Sequence, residues 1–299
     1  MADLIKIVDR VAARLGPVAG EPEPLEGGIT NRNFRVRFGA RDCVLRLPGR
    51  DTKLLGIDRA AERLAAERAA ALGIGPPLLA ADEECMVTAW LPGAPISGDR
   101  LRADPSSAAR ALRAFHESGL ELPVRFWIPD LLEDYARIIA ARGGELPDSY
   151  ARTQELVARI ALALPLAEPA PCHDDLLPGN ILATHADPGH AILVDWEYAG
   201  MGHRYFDLGN LAVNNAFDEG AQDRLLEAYF DTPPDAGRRA ALHLMMLVSD
   251  AREAAWGVVQ GSISELDFDF AEYARHHFAR LQRNASDPRL EEWLRAATP

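Results

Sequence analysis

Apolar positions recur along this chain with two periods, and the places where the period changes outline its elements. Leu4, Ile7, Val8, Val11 and Leu15 fall on one face of a 3.6-residue repeat, so the N-terminus predicts an amphipathic helix. In NFRVRF (33–38) and CVLRL (43–47) the period shortens to two, and GARD between them supplies a turn. That pattern predicts an antiparallel hairpin. GPVAGEPEPLEGG (16–28), ahead of it, reads as a Pro/Gly-rich connector. IDRAAERLAAERAAALGIGPP (57–77) is dense in helix formers and stops at Gly73 and the Pro76–Pro77 pair. PLLAA (77–81) and CMVTAWL (85–91) read as two more strands. PGAPISGD (92–99) then breaks the pattern and is expected to be a hinge between lobes.

Beyond residue 100 the helical period dominates. DPSSAARALRAFHESG (104–119) predicts a helix with Asp104 as N-cap, Pro105 at its first position and Gly119 at its stop. Further helices are expected over 128–144, 148–164, 204–217, 220–230, 236–261 and 269–283. One stretch interrupts them: CHDDLLPGNILATHADPGHAILVDWEYAG (172–200), where NILA and AILVDW read as short buried strands of a hairpin. The order predicts an α+β chain of two lobes, residues 1–91 and 92–299, with a cleft between them.

Composition narrows the chemistry. The 299 residues are 48% hydrophobic, enough for a large core, and the formal net charge is -13. Such acidity argues against a nucleic-acid partner and suits a cationic substrate or an anionic one that carries a metal. Cys43, Cys85 and Cys172 are widely spaced and form no CxxC pair, as expected in a reducing cytosol, and Cys172, beside the stretch that interrupts the helices, is expected to be a buried structural cysteine rather than a nucleophile. No apolar run approaches bilayer length and the first helix is no signal peptide, so a cytoplasmic protein without a membrane partner is expected, as monomer or homodimer.

Within the interrupting stretch, HDDLLPGN reads as H-x-D-x-x-x-x-N. In the protein-kinase loop of that spacing the Asp receives the proton of the attacked hydroxyl and the Asn binds magnesium. That selects Asp175 and Asn180. Asp195, at the end of ILVDW, stands where a second metal-holding acid is needed. Phosphoryl transfer needs such parts because its catalysis is mostly positioning and charge neutralisation. A pair of acids also suits a glycosidase, but that leaves Asn180 and the strands unexplained. His173 is expected to be a hydrogen-bonding scaffold, and Asp174 a solvated loop acid outside the site. Upstream, EGGITNRNF could bring Gly28, Thr30 and Asn31 near phosphates, although it lacks the Walker and G-x-G-x-x-G patterns. Arg46, in VLRLPG, alternates with apolar neighbours where a kinase carries its phosphate-binding Lys. Glu62 on the following helix is the candidate to orient it, with Glu67 as rival.

With GGITNRNFRV, VLRLPG, HDDLLPGNIL, VDWEYAGMGHRYFDLGN and AAWGVVQGSISELDFDFAEYARHHF, the chain resembles the choline/ethanolamine kinase family within the aminoglycoside-phosphotransferase-like kinases. The resemblance implies a bilobal protein-kinase-like fold and ATP-dependent phosphorylation of an amino-alcohol hydroxyl with Mg²⁺. It implies that Asp175 is the base, Asn180 and Asp195 the metal ligands, Arg46 a phosphate contact and Glu62 its support. Residues 88–93, TAWLPG, resemble the segment that receives adenine, with Ala89 and Leu91 as contacts. Asp207 resembles the acid that braces the catalytic loop, and Trp256 a choline-facing aromatic. Glu253 and Asn214 stand where eukaryotic members carry an aromatic and an acid. Glu197 is left between metal and substrate. The acceptor implied is choline first and ethanolamine second. The alternatives are an aminoglycoside or another small metabolite, or a pseudoenzyme that only binds nucleotide.

Overall fold

The computed structural model describes residues 2–25, 31–49, 51–264 and 266–297, and shows a bilobal α+β protein of the protein-kinase-like fold. The smaller lobe carries an antiparallel sheet of β1 (Val18–Leu25), β2 (Arg32–Phe38), β3 (Arg41–Leu47), β4 (Leu78–Ala81) and β5 (Met86–Ala89). Their spatial order is β1-β2-β3-β5-β4. Helix α1 (Ala2–Leu15) lays Ile7, Val8 and Val11 against Val36, Phe38, Leu45, Leu47 and Val87 of the sheet. The period-two alternation of the hairpin is therefore the pattern of one face on this core and one face in water.

The expected Pro/Gly-rich connector is a strand instead. β1 pairs with β2 through Val18↔Phe38 and Leu25↔Asn33, with an irregularity between Ala19 and Glu23. Pro22 and Pro24 cannot donate to a ladder, but β1 lies at the sheet edge, where a strand needs partners on one side only. The prolines hid the strand from a pattern reading and keep that edge closed to further strands.

Helix α2 (Arg59–Ala71) starts where Asp58 accepts the Ala60 and Ala61 amides, at 2.8 and 2.9 Å. Its buried Ala61, Ala65 and Ala69 join the larger core, together with Leu112 and Phe115. A small-lobe helix is thereby packed against the large lobe and positions its charged residues at the cleft.

The expected hinge is not free chain either. β6 (Gly93–Pro95) pairs with β8 (Ile181–Thr184), and β8 pairs with β9 (Ala191–Leu193). A Cβ on Gly93 would lie 2.3 Å from the Ala183 carbonyl oxygen, so only glycine permits this crossing. A third small sheet joins β7 (Ala170–Cys172) to β10 (Gly200–Gly202). The rest of the large lobe is helical: α3 (Gly98–Ala103), α4 (Ser106–His116), α5 (Ile128–Ala141), α6 (Ser149–Ala163), α7 (Arg204–Asn214), α8 (Glu219–Phe230), α9 (Ala236–Ile263), α10 (Phe270–Ala285) and α11 (Leu290–Ala296). Helix α4 begins one residue later than expected. Pro105 takes the N-cap position, and Asp104 caps from one residue further back by accepting the Ser106 amide at 3.0 Å. α9 is the central helix, with Leu244, Leu247, Ala251, Ala255 and Val259 all buried. Full burial of each such Leu or Val contributes about 1.5–3 kcal/mol. Gly209 of α7 lets that helix reach α9, since a Cβ there would sit 2.6 Å from the Met245 carbonyl carbon. All three cysteines are free and buried. Among the described residues, no helix is long and apolar enough to cross a membrane.

Candidate active site

The loop after β7 is held from beneath by one acid. Asp207, in the first turn of α7, accepts the amides of His173 and Asp174, both at 2.8 Å, and pairs with His116 Nε2 at 2.9 Å. Burial pushes its carboxyl up, but the His116 hydrogen bond and charge outweigh that and leave it below the ordinary carboxylate value. His173 is the expected scaffold: burial keeps its ring neutral, Nε2–H donates to the Val194 carbonyl at 2.9 Å, and Nδ1 accepts the Asp175 amide at 3.2 Å.

Asp174 corrects an expectation. It is fully buried rather than solvated, and its backbone is left-handed at φ 66°. Fixing its amide on Asp207 turns the side chain inward, where neither carboxylate oxygen has a hydrogen-bond partner. The Gly200 amide lies close enough to favour the ionised form without reaching hydrogen-bond geometry. Burial dominates and pushes the carboxyl well above the ordinary value of 3.8.

Asp175 and Asn180 meet. The Asn180 amide Nδ2 donates to the Asp175 carbonyl at 2.8 Å and to its carboxylate at 3.2 Å, which leaves Oδ1 pointing elsewhere. The Val194 amide donates to the Asn180 carbonyl at 3.0 Å, so Asp195, left-handed at φ 66°, begins beside the same turn. Asp175 is raised well above the usual carboxylate range by burial. Arg252 opposes the shift, while Glu253, Asp195 and Glu197 add to it.

Across the cleft, Arg46 of β3 pairs with the carboxylates of both Glu62 and Asp195. Arg59 bonds Glu62 at 2.7 Å and reaches Glu197 at 3.4 Å, and Asn31 Nδ2 donates to Glu197 at 2.9 Å. Glu67, the rival, pairs with Arg63 on the surface at 2.9 Å and takes no part. Gly28 and Thr30 lie outside the described residues. At the end of β5 the Ala89 amide is taken by the Pro77 carbonyl and the Trp90 amide by the Asp42 carbonyl. Among the described residues Leu91 makes no backbone–backbone hydrogen bond.

On the other side of Asp175, Arg252 Nη1 bridges Asp175 at 3.2 Å and Glu253 at 2.9 Å. Its guanidinium carbon stands 4.2 Å from the centre of the Tyr198 ring. Glu253 also accepts the Tyr273 hydroxyl at 2.7 Å, and Trp256 Nε1 donates to the Tyr198 hydroxyl at 2.7 Å. Asn214 is not bonded to this group. It accepts Arg280 at 3.0 Å in a separate cluster with Asp250. Pattern reading missed Arg59, Arg252, Tyr198 and Tyr273. Arg59 carried one signal, its i,i+3 spacing to Glu62, and Arg252 another, a charged Arg–Glu pair inside the apolar run of α9. Two surface cavities of about 230 and 240 Å³ lie among the large-lobe helices and contain none of these residues.

The donors at Asn180, Asp195 and Glu197 are hard oxygens, the set that Mg²⁺ takes. Burial and mutual repulsion raise both Asp175 and Glu197, an excess of negative charge that a divalent cation would relieve. The residues fit the ion. The separate group of His116, Cys172 and Asp207 is fully buried, and its His–Asp pair is already spent on the loop brace.

The model of the phosphotransferase enzyme family matches residues 21–243. The chain belongs to this family. Within it, the chain falls in the choline/ethanolamine kinase-like branch of the aminoglycoside-phosphotransferase superfamily. A choline/ethanolamine kinase of Homo sapiens is 25% identical over 313 aligned residues, covering 85% of this chain and 78% of the relative. The crystal structure of a choline/ethanolamine kinase family protein from Mesorhizobium loti is 30% identical, covers 96% of this chain and 98% of its own, and superposes with a TM-score of 0.80. The choline kinase LicA from Streptococcus pneumoniae, 22% identical, shares the fold with a TM-score of 0.76 over 94% of this chain and 98% of its own. The general chemistry supported is ATP-dependent phosphoryl transfer to a small molecule.

Proposed function

We propose that this kinase phosphorylates the hydroxyl of a small amino alcohol of the choline/ethanolamine kind, with residues 1–91 as nucleotide-binding lobe and 92–299 as catalytic and substrate-binding lobe. The observation that carries the reading is the convergence of Asp175, Asn180 and Asp195 on one turn, facing the Arg46–Glu62 pair. Asp175 orients the acceptor hydroxyl and takes its proton. Burial raises its pKa above the ordinary carboxylate value, which makes it a stronger proton acceptor than a free carboxylate. Asn180 and Asp195 hold Mg²⁺, which supplies charge neutralisation at the transferring phosphoryl group when bound. Arg46 binds phosphate oxygens, and Glu62 keeps its guanidinium in place. Arg59 and Asn31 steady Glu197 at the edge of the same region. The adenine lies along 88–93, with Leu91 supplying free backbone groups.

The test is Mg-ATP consumption with choline and with ethanolamine side by side, using Asp175→Asn as the blank. Turnover with either alcohol, lost in the variant, supports the reading. Folded wild-type protein that binds Mg-ATP and turns over neither would retire the amino-alcohol acceptor.

A further inference from the structure

The acceptor side of Asp175 is built like a seat for an organic cation. Recognition of a quaternary ammonium combines aromatic faces with carboxylates, and both are here. Tyr198, Trp256 and Tyr273 form one wall, with Trp256 and Tyr273 packed edge to face at 5.4 Å between centroids. Asp175 and Glu253 supply the acids. The seat already holds a cation from this chain: the Arg252 guanidinium lies over the Tyr198 ring at 4.2 Å and bridges Asp175 and Glu253 through Nη1.

The other partners of Glu253 reinforce the occupancy. Oε1 also receives Asn210 at 3.5 Å, while Oε2 receives the Tyr273 hydroxyl at 2.7 Å. Arg252 is 1% exposed, and a guanidinium held by two acids and a ring has no cheaper place to go. Its Nε and Nη2 groups are buried without a hydrogen-bond partner among the described residues.

We infer that Arg252 is the specificity-determining residue of this kinase: its guanidinium fills the aromatic and carboxylate seat a trimethylammonium group needs, so the acceptor is a primary amino alcohol and not choline. The inference rests on the reading of Asp175 as the group that meets the acceptor hydroxyl. A primary ammonium is excluded less, because it binds by hydrogen bonds and needs no aromatic enclosure.

Isothermal titration of the Mg²⁺-bound protein, with its nucleotide side filled by a nonhydrolysable ATP analogue, reads the seat without requiring turnover. Wild-type protein is expected to bind tetramethylammonium at least ~10-fold more weakly than Arg252→Ala, whose cavity keeps Tyr198 and Glu253. Arg252→Lys, which retains a cation, is expected to stay like wild type. Equal binding of tetramethylammonium by wild type and Arg252→Ala overturns the inference. If Arg252→Ala does not fold, wild type alone decides. Choline bound at least ~10-fold more weakly than ethanolamine supports the inference, and choline bound equally or better overturns it. Turnover assays remain a separate reading: loss of all amino-alcohol phosphorylation retires the proposed function, whereas the binding ratios judge Arg252.

Discussion

Two arginines flank the candidate base and do opposite work. Arg46 is brought in from the small lobe, pairs with Glu62 and Asp195, and meets an Asp195 side chain that is 26% exposed. Arg252 lies inside the large lobe, where its side chain is 2% exposed and its partners Asp175 and Glu253 are 9% and 1% exposed. The Arg46–Asp195 pair is partly exposed on the acid's side, so under the proposed function Arg46 can trade Asp195 for phosphate and leave the acid to a metal. A buried bridge cannot be broken without stranding a charge, so Arg252 fixes shape and field. In the proposed reading the cleft joins an adaptable nucleotide side to a preset acceptor side.

The largest effect expected is at the group between them. Asp175→Asn should lower kcat by about 10²–10⁴-fold, the usual worth of a positioned acid–base group, while Mg-ATP binding changes little. Steady-state kinetics beside an Mg-ATP titration checks this. A variant that retains most of its kcat would move the base elsewhere.

The comparison itself is tested by removing each arginine. Arg252→Met should destabilise the fold by about 3–5 kcal/mol in urea unfolding, because Asp175 and Glu253 lose their buried counter-charge. Arg46→Met should destabilise the fold less than Arg252→Met, because Asp195 is 26% exposed and the buried Glu62 keeps Arg59, and should raise KM for ATP roughly tenfold or more. The reverse assignment of stability and KM effects would dissolve the distinction between the two sides.

A third test uses Asp174, which lies on the buried side without a partner. Its carboxyl is raised in the folded protein, so its contribution is fully present below the ordinary value of 3.8. That contribution is lost as pH rises through the raised folded value, because the unfolded chain ionises first. Asp174→Asn removes this dependence. The variant should be more stable than wild type at pH 7, with the gap closing toward pH 4. Denaturant melts at pH 4, 5.5 and 7 read it, and a constant gap would mean that Asp174 is not held neutral by folding.

These residues also mark how far the sequence could be read. Motif spacing selected Asp175 and Asn180, and the end of the following strand selected Asp195, because a loop between two short strands keeps its groups at fixed intervals. Arg46 was legible from strand alternation, and Glu62 from the helix that follows. Asp174 was misread because its burial comes from Asp207, thirty-three residues on, fixing its backbone. Arg252 was missed because helical pattern shows which face is buried but not which distant carboxylate waits there. β1 was hidden by its prolines, and the hinge by a pairing with a strand some ninety residues away. Local periodicity carried the elements, whereas the long-range partners that make a buried charge tolerable left no local trace.

The smallest effect separates Glu62 from Glu67, two acids on one helix that pattern alone could not rank. Glu67→Gln breaks only the exposed i,i+4 pair with Arg63, so stability should fall by no more than about 0.5 kcal/mol. KM for ATP should not move. Glu62→Gln removes the carboxylate that faces both Arg46 and Arg59, leaving two neighbouring guanidiniums to repel each other. It should raise KM for ATP several-fold, and added salt should recover part of the loss by screening that repulsion. Equal kinetic effects from the two substitutions would mean that Arg46 is held by Asp195 alone and that α2 contributes packing rather than orientation.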